Sequence, residues 1–224
     1  MTARIPDRIT LLADDPSLAL SREAFFARSG TTQRGRILEA VTHVVAGHGY
    51  AAATVSDIVA AAGVSRTTFY EHFDGKKQCL LESYRVATQI VLGRIAKAAT
   101  AAAGKGWHAA LAAGIATYLE TIRAEPEIAL AQFVELPAIG ADAIAARRDA
   151  QRDHAEQIIE MTQTLRALDP ATPDLDRKSV ELILAGIEER VAQALYASDS
   201  ERFDQIEQLA LTAFDALATR PAVT

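Results

Sequence analysis

Residues Thr54 to Phe73 read TVSDIVAAAGVSRTTFYEHF, and this stretch decides how the chain folds. Thr54 is a good helix N-cap, and Asp57 three residues later can close a capping box and complement the positive end of the helix dipole. Val55, Ile58, Val59 and Ala62 fall at i, i+3, i+4 and i+7, which makes one face of the helix apolar. Gly63 ends it, because glycine takes the left-handed conformation at little cost. Val64 follows as a plug for the angle, and Ser65 caps a second helix that starts at Arg66. Of that second helix only Phe69 and Phe73 sit at core spacing, which leaves Arg66, Thr67, Thr68, Tyr70 and His72 facing out. Two short helices around a three-residue turn, the second polar on its free side, have the form of a helix-turn-helix. Such a motif lays its second helix in the DNA major groove.

The preceding stretch completes a small core. Arg36 to His48 carries Ile37, Val41, Val44, Val45 and His48 on one stripe, Gly49 ends it, and Tyr50 would pack over the joint. Together these residues resemble the DNA-binding domain of the TetR family of bacterial transcription regulators. The resemblance spans residues 34 to 81 and rests on many fixed spacings. They are Gly49-Tyr50, Thr54-Val55-x-Asp57-Ile58, Ala62-Gly63-Val64-Ser65, Thr68-Phe69-Tyr70-x-His72-Phe73, and Lys76 with Leu80. It covers under a quarter of the chain and implies nothing residue by residue beyond about position 85.

Contact roles can be set out inside the motif. Arg66 stands at the start of the recognition helix, where a guanidinium reaches guanine O6 and N7. Thr67 and Thr68 are short enough to hydrogen-bond or to meet a thymine methyl. The resemblance implies phosphate contacts for Tyr70 and His72. Lys76, whose backbone N–H opens the next helix, is expected to clamp another phosphate. Thr54 and Ser65 add their caps and hydroxyls, while Arg34 and Arg36, with Arg28, are placed to reach the backbone or the adjacent minor groove. The alternative for each residue is a solvated surface position.

Charge distribution fits one DNA-facing end. The net charge is −6, yet residues 31–80 hold five cations against four acids, and residues 81–224 hold fourteen against twenty-one. The excess acid is therefore behind the motif. A domain at +1 releases few counterions, so a moderate salt dependence is expected.

Beyond the motif the chain reads as helices: 75–103, 107–124, 127–136, 139–168, 175–196 and 200–218, broken at Gly104-Lys105-Gly106, Pro126, Pro137 and Asp169-Pro170-Ala171-Thr172-Pro173. The fold class is all-α, with an N-terminal three-helix helix-turn-helix domain (31–80) and a C-terminal helical ligand-binding and dimerisation domain (81–220). An N-terminal extension, 1–30, precedes them, and Ser21 to Arg28 within it can make two helical turns. Phe25 and Phe26 there either accompany a DNA-binding arm or pack on the body of the protein.

The last two helices carry apolar stripes: Leu184, Ile187, Val191 and Leu195 on one, Phe203, Ile206, Ala210, Ala213 and Leu217 on the other. Two such helices from each subunit can build a four-helix dimer interface; the alternative is that the stripes face their own core. A palindromic site requires two-fold symmetry, and the resemblance assigns dimerisation to these helices. The middle helices are expected to enclose a pocket for a mostly apolar effector, with Tyr84, Trp107, His108, Tyr118, Phe133 and Met161 as candidate lining residues, and Gln132, Glu135 and His154 as polar candidates. Abundant alanine leaves room for it.

Other classes have less to stand on. The five histidines show no metal-ligand spacing, and Cys79 has no second cysteine to pair with. There is no glycine-rich phosphate loop or nucleophile elbow, so no cofactor and no catalysis are expected. No signal peptide or membrane-length apolar run is read, which points to the cytoplasm. The reading is a ligand-responsive homodimeric repressor of a palindromic operator. A ligand-dependent activator or corepressor-type regulator is one alternative, and a helical interaction module with a non-functional DNA motif is another.

Overall fold

The computed structural model describes residues 32–197 and 201–218, so the N-terminal extension, including Arg28, lies outside the described residues. Every regular element among those residues is helical. Helix α1 is Gln33–His48, α2 Val55–Ala62, α3 Arg66–His72 and α4 Lys76–Ala102. Helix α5 is Trp107–Ala124, and α6 is Pro126–Ala129, which widens into a π turn over Leu130–Glu135 and tightens to a 3-10 turn over Leu136–Ile139. Helices α7, α8 and α9 are Ala141–Leu168, Arg177–Ala197 and Glu201–Ala218.

Local chemistry sets the ends. Thr32 caps α1 by accepting from the Gly35 amide, so the helix starts three residues earlier than expected. Asp176 accepts from the amide and hydroxyl of Ser179, which delays α8 to Arg177. The expected stop at Pro137 is passed, because proline is tolerated in the first turn of the 3-10 segment.

The chain gathers into two compact units. Among the described residues the first holds 32–90, 122–146 and 195–197, and the second holds 91–121, 147–194 and 201–218. This grouping differs from a single division at residue 80, because three side chains of the segment 126–142 bond to the helix-turn-helix region. Glu127 pairs with His43, Glu135 accepts from the Tyr50 amide at 2.8 Å, and Asp142 pairs with Lys77. Helices α4, α5, α7 and α8 each contribute residues to both units.

In the first unit Ile37, Leu38, Val41 and Val45 of α1 are buried, as are Ile58 of α2, Phe69 of α3, Phe73, and Cys79 and Leu80 of α4. The buried hydroxyls of Thr42 and Ser83 lie 2.8 Å apart and 3.0 and 3.1 Å from the Leu38 carbonyl, so one donates to the carbonyl and the other can donate across the pair. The Cys79 thiol is enclosed, and burial pushes its pKa far up, so it stays protonated.

Candidate DNA interface and internal cavity

The helix-turn-helix forms as its local signals require. The Thr54 hydroxyl accepts from the Asp57 amide at 3.2 Å, and Asp57 accepts from the Thr54 amide at 3.0 Å, closing the capping box. Hydrogen bonds from Thr54 hold the Asp57 carboxyl below its usual range. Gly63 is left-handed at φ 62°, ψ 40° and ends α2. The Ser65 hydroxyl accepts from the Thr68 amide at 3.0 Å and starts α3.

Phe69, fully buried, and Phe73 anchor α3 with ring centroids 5.8 Å apart. Arg66, Thr67, Tyr70 and His72 are exposed, as are Thr54, Ser65 and Arg36, while Thr68 is half-buried beside Ser65. This leaves a short helix with one anchored edge and a polar free face, on a scaffold held from behind.

Two cations expected at the DNA take other partners. Arg34 donates to Glu82 at 2.8 Å and stands over the Phe73 ring at 5.5 Å, so it ties α1 to α4. The Lys76 ammonium donates to the carbonyls of Tyr50, Ala51 and Ala53 at 2.6, 3.3 and 2.7 Å and lies 4.6 Å from the Tyr50 ring centre. An ammonium has three N–H donors, and all three are engaged. The expected phosphate clamp at Lys76 is therefore corrected for its side chain, which closes the turn between α1 and α2; only its backbone N–H, in the first turn of α4, remains suited to an anion.

The second unit holds a partly open cavity of about 500 Å³. Its wall takes Ile95, Ala99 and Ala103 from α4 and its 3-10 end, Ala110, Leu111, Gly114 and Tyr118 from α5, His154, Gln157, Ile158 and Met161 from α7, Leu184, Ile187 and Glu188 from α8, and Phe214 from α9. Small residues explain the space: Ala99, Ala103 and Ala110 cannot fill it. Gly114 brings α5 so close to α4 that a Cβ there would meet Ile95 Cγ2 at 3.3 Å.

Of the candidate pocket residues, Tyr118 and Met161 line this cavity, and so does His154. The other four are corrected. Tyr84 is buried in the core of the first unit, and Phe133 lies on the π turn of that unit. Trp107 and His108 stack on each other at 3.9 Å, with His108 paired to Asp215 at 3.2 Å rather than turned to the cavity. Glu135, a polar candidate, bonds the Tyr50 amide instead, and Gln132 is buried in the first unit.

Burial lowers the His154 pKa to about 4, so its imidazole is neutral near pH 7. Glu188 is half-buried, and that burial raises its pKa, while Arg147 at 3.0 Å and Gln151 at 2.8 Å oppose the rise.

The expected dimer stripe is corrected as well. Leu184, Ile187, Val191, Leu195, Phe203, Ile206 and Ala210 are all buried within one chain, and Leu184 and Ile187 line the cavity. Ala213 and Leu217 are half-buried. The apolar residues left outside are Leu182 at 75 % exposure and Tyr196 at 59 % on α8, and Leu209 at 56 % on α9, with Gly186 exposed on α8 as well.

Residues 37–83 match the family model described as bacterial regulatory proteins, tetR family. The protein's DNA-binding domain is that of the TetR family. This makes the chain a DNA-binding transcription regulator. Among curated protein sequences, none matches it. Two solved structures share the fold across most of both chains. The fatty acid degradation regulator FadR from Bacillus halodurans is 20% identical, with a TM-score of 0.66 over 80% of this chain and 94% of that one. The transcriptional regulator FadR from Bacillus subtilis, in complex with stearoyl-CoA, is 17% identical, with a TM-score of 0.67 over 82% and 97%. The TetR-family match falls on the helices that present α3; the cavity lies outside the matched residues. No helix among the described residues is long and apolar enough to cross a membrane.

Proposed function

We propose that the protein is a non-catalytic, cytoplasmic, ligand-responsive repressor that binds a palindromic operator as a homodimer. The observation that carries this reading is the pairing of an outward polar α3, anchored by Phe69 and Phe73, with a mostly apolar cavity walled in part by the long helix α4. Arg66 reads a base edge, Thr67 and Thr68 support it, and Tyr70, His72, Ser65, Arg36 and the Lys76 amide hold phosphates, while the Thr54 hydroxyl and amide both donate to Asp57.

Ligand in the cavity presses on Ile95 and Ala99 of α4, whose earlier residues belong to the DNA-binding unit. That changes the separation of the two recognition helices from the one-turn spacing of about 34 Å. The effect is limited by how much more tightly the ligand binds the released state. Dimerisation uses the outer faces of α8 and α9, where Leu182, Tyr196 and Leu209 are exposed.

Selection from a random double-stranded DNA library with the purified chain tests the reading: a two-fold symmetric sequence is expected. Arg66→Ala should then cost about 1–3 kcal/mol of operator affinity and relax the preference at one base pair per half-site. Enrichment of no sequence at low salt would reject DNA reading, and an unchanged preference in the variant would reject the role of Arg66.

A further inference from the structure

The polar groups of the cavity specify the kind of molecule it takes. Gln157 Oε1 is buried in the wall with no hydrogen-bond partner. An acceptor left so is costly, and a donor brought to it is favoured. Glu188 stands on the same wall; both of its bonds, from Arg147 and Gln151, fall on Oε2, so Oε1 keeps its capacity to accept. His154 is neutral and brings no charge to the wall. Among the described residues that line the cavity there are two glutamates, Glu160 and Glu188, and neither lysine nor arginine. An anion placed here would lose its water and meet carboxylates.

We propose that the cavity binds an uncharged, mostly apolar molecule whose polar end donates hydrogen bonds, to Gln157 Oε1 first. This rests on reading the cavity as the effector site. It also separates the protein from its structural neighbour: stearoyl-CoA, held by the Bacillus subtilis FadR, has a polyanionic head for which this wall offers no cation. A shared fold does not transfer the ligand here.

Four probes and the full chain test it by titration calorimetry: 1-decanol (neutral donor), methyl decanoate (neutral, acceptor only), decanoate (anion) and stearoyl-CoA. Decanol is expected to bind about tenfold more tightly than methyl decanoate, the worth of one hydrogen bond, and more tightly still than decanoate. Gln157→Leu should remove the preference of decanol over the ester, with decanol affinity lost and ester affinity not reduced. Decanoate or stearoyl-CoA binding as well as decanol would overturn the proposal, and so would a preference that survives Gln157→Leu. In those cases the cavity would still be an effector site. If none of the four binds, the effector-site reading itself falls.

Discussion

Replacing Lys76 by methionine separates two roles that one ammonium cannot hold together. Methionine keeps much of the apolar stem and removes the donors. In the structure those donors reach the carbonyls of Tyr50, Ala51 and Ala53, two of them at 2.6 and 2.7 Å and the third at a weak 3.3 Å. Hydrogen bonds from a charged donor contribute about 1.5–3 kcal/mol each, but this turn is half-exposed and water can replace part of the loss. The Tyr50 ring adds about 0.5–1 kcal/mol through its cation–π contact. The net expectation is a loss of about 2–3 kcal/mol. For a chain of this length that lowers Tm by about 5–10 °C, read by far-ultraviolet circular dichroism. Operator affinity measured across salt concentrations decides the other role. A lost phosphate contact would reduce the slope of log K against log salt by about one per contact. The turn-closing role leaves that slope unchanged at temperatures where the variant is folded. An unchanged Tm together with a shallower slope would refute the reasoning and return Lys76 to the DNA.

Three further outcomes follow from other parts of the molecule. Gly49 has φ 79°, ψ 152°, and a Cβ there would lie 3.3 Å from Glu135 Oε2, so Gly49→Ala should cost about 1–3 kcal/mol in urea unfolding. His154 is neutral in the fold with its pKa lowered to about 4 from 6.5, so the unfolded chain binds the extra proton between those values. Stability should therefore be full above pH 6.5 and fall by up to about 1.4 kcal/mol per pH unit toward pH 4, and His154→Gln should remove that share of the slope. Leu182→Glu should give a monomer by light scattering with little change in Tm, whereas Leu184→Ala should keep the dimer and lose about 2–4 kcal/mol; the reverse pattern would restore the buried stripe as the interface.

The helix-turn-helix was legible because its determinants are local. A capping threonine with Asp57 at the third helical position, a left-handed Gly63 and two phenylalanines four apart each act within one or two turns of chain. The dimer stripe was not, since an apolar row at helical spacing looks the same whether it covers its own core or another subunit. What distinguishes them is the opposite face, where Leu182 and Leu209 stand among polar residues. The cavity was half legible. Aromatic residues such as Trp107 and Tyr84 fill space, and it is the small residues Ala99, Ala103 and Ala110 that leave it. The partners of Lys76, and the bond from Tyr50 to Glu135, join positions far apart in the chain, and no local pattern announces them.

The π turn at Leu130–Glu135 is a matter of chain count. A π turn holds one residue more than an α-helical turn between the same bonded groups. Deleting any one residue from 130 to 134 would let the segment relax to an ordinary helix with its backbone bonds intact. It would also rotate Glu135 by about 100° relative to the residues before it. The carboxylate that receives the Tyr50 amide is thus aimed by the length of this segment more than by the identity of its side chains. A one-residue deletion here therefore releases the Tyr50 amide even when Glu135 itself is kept.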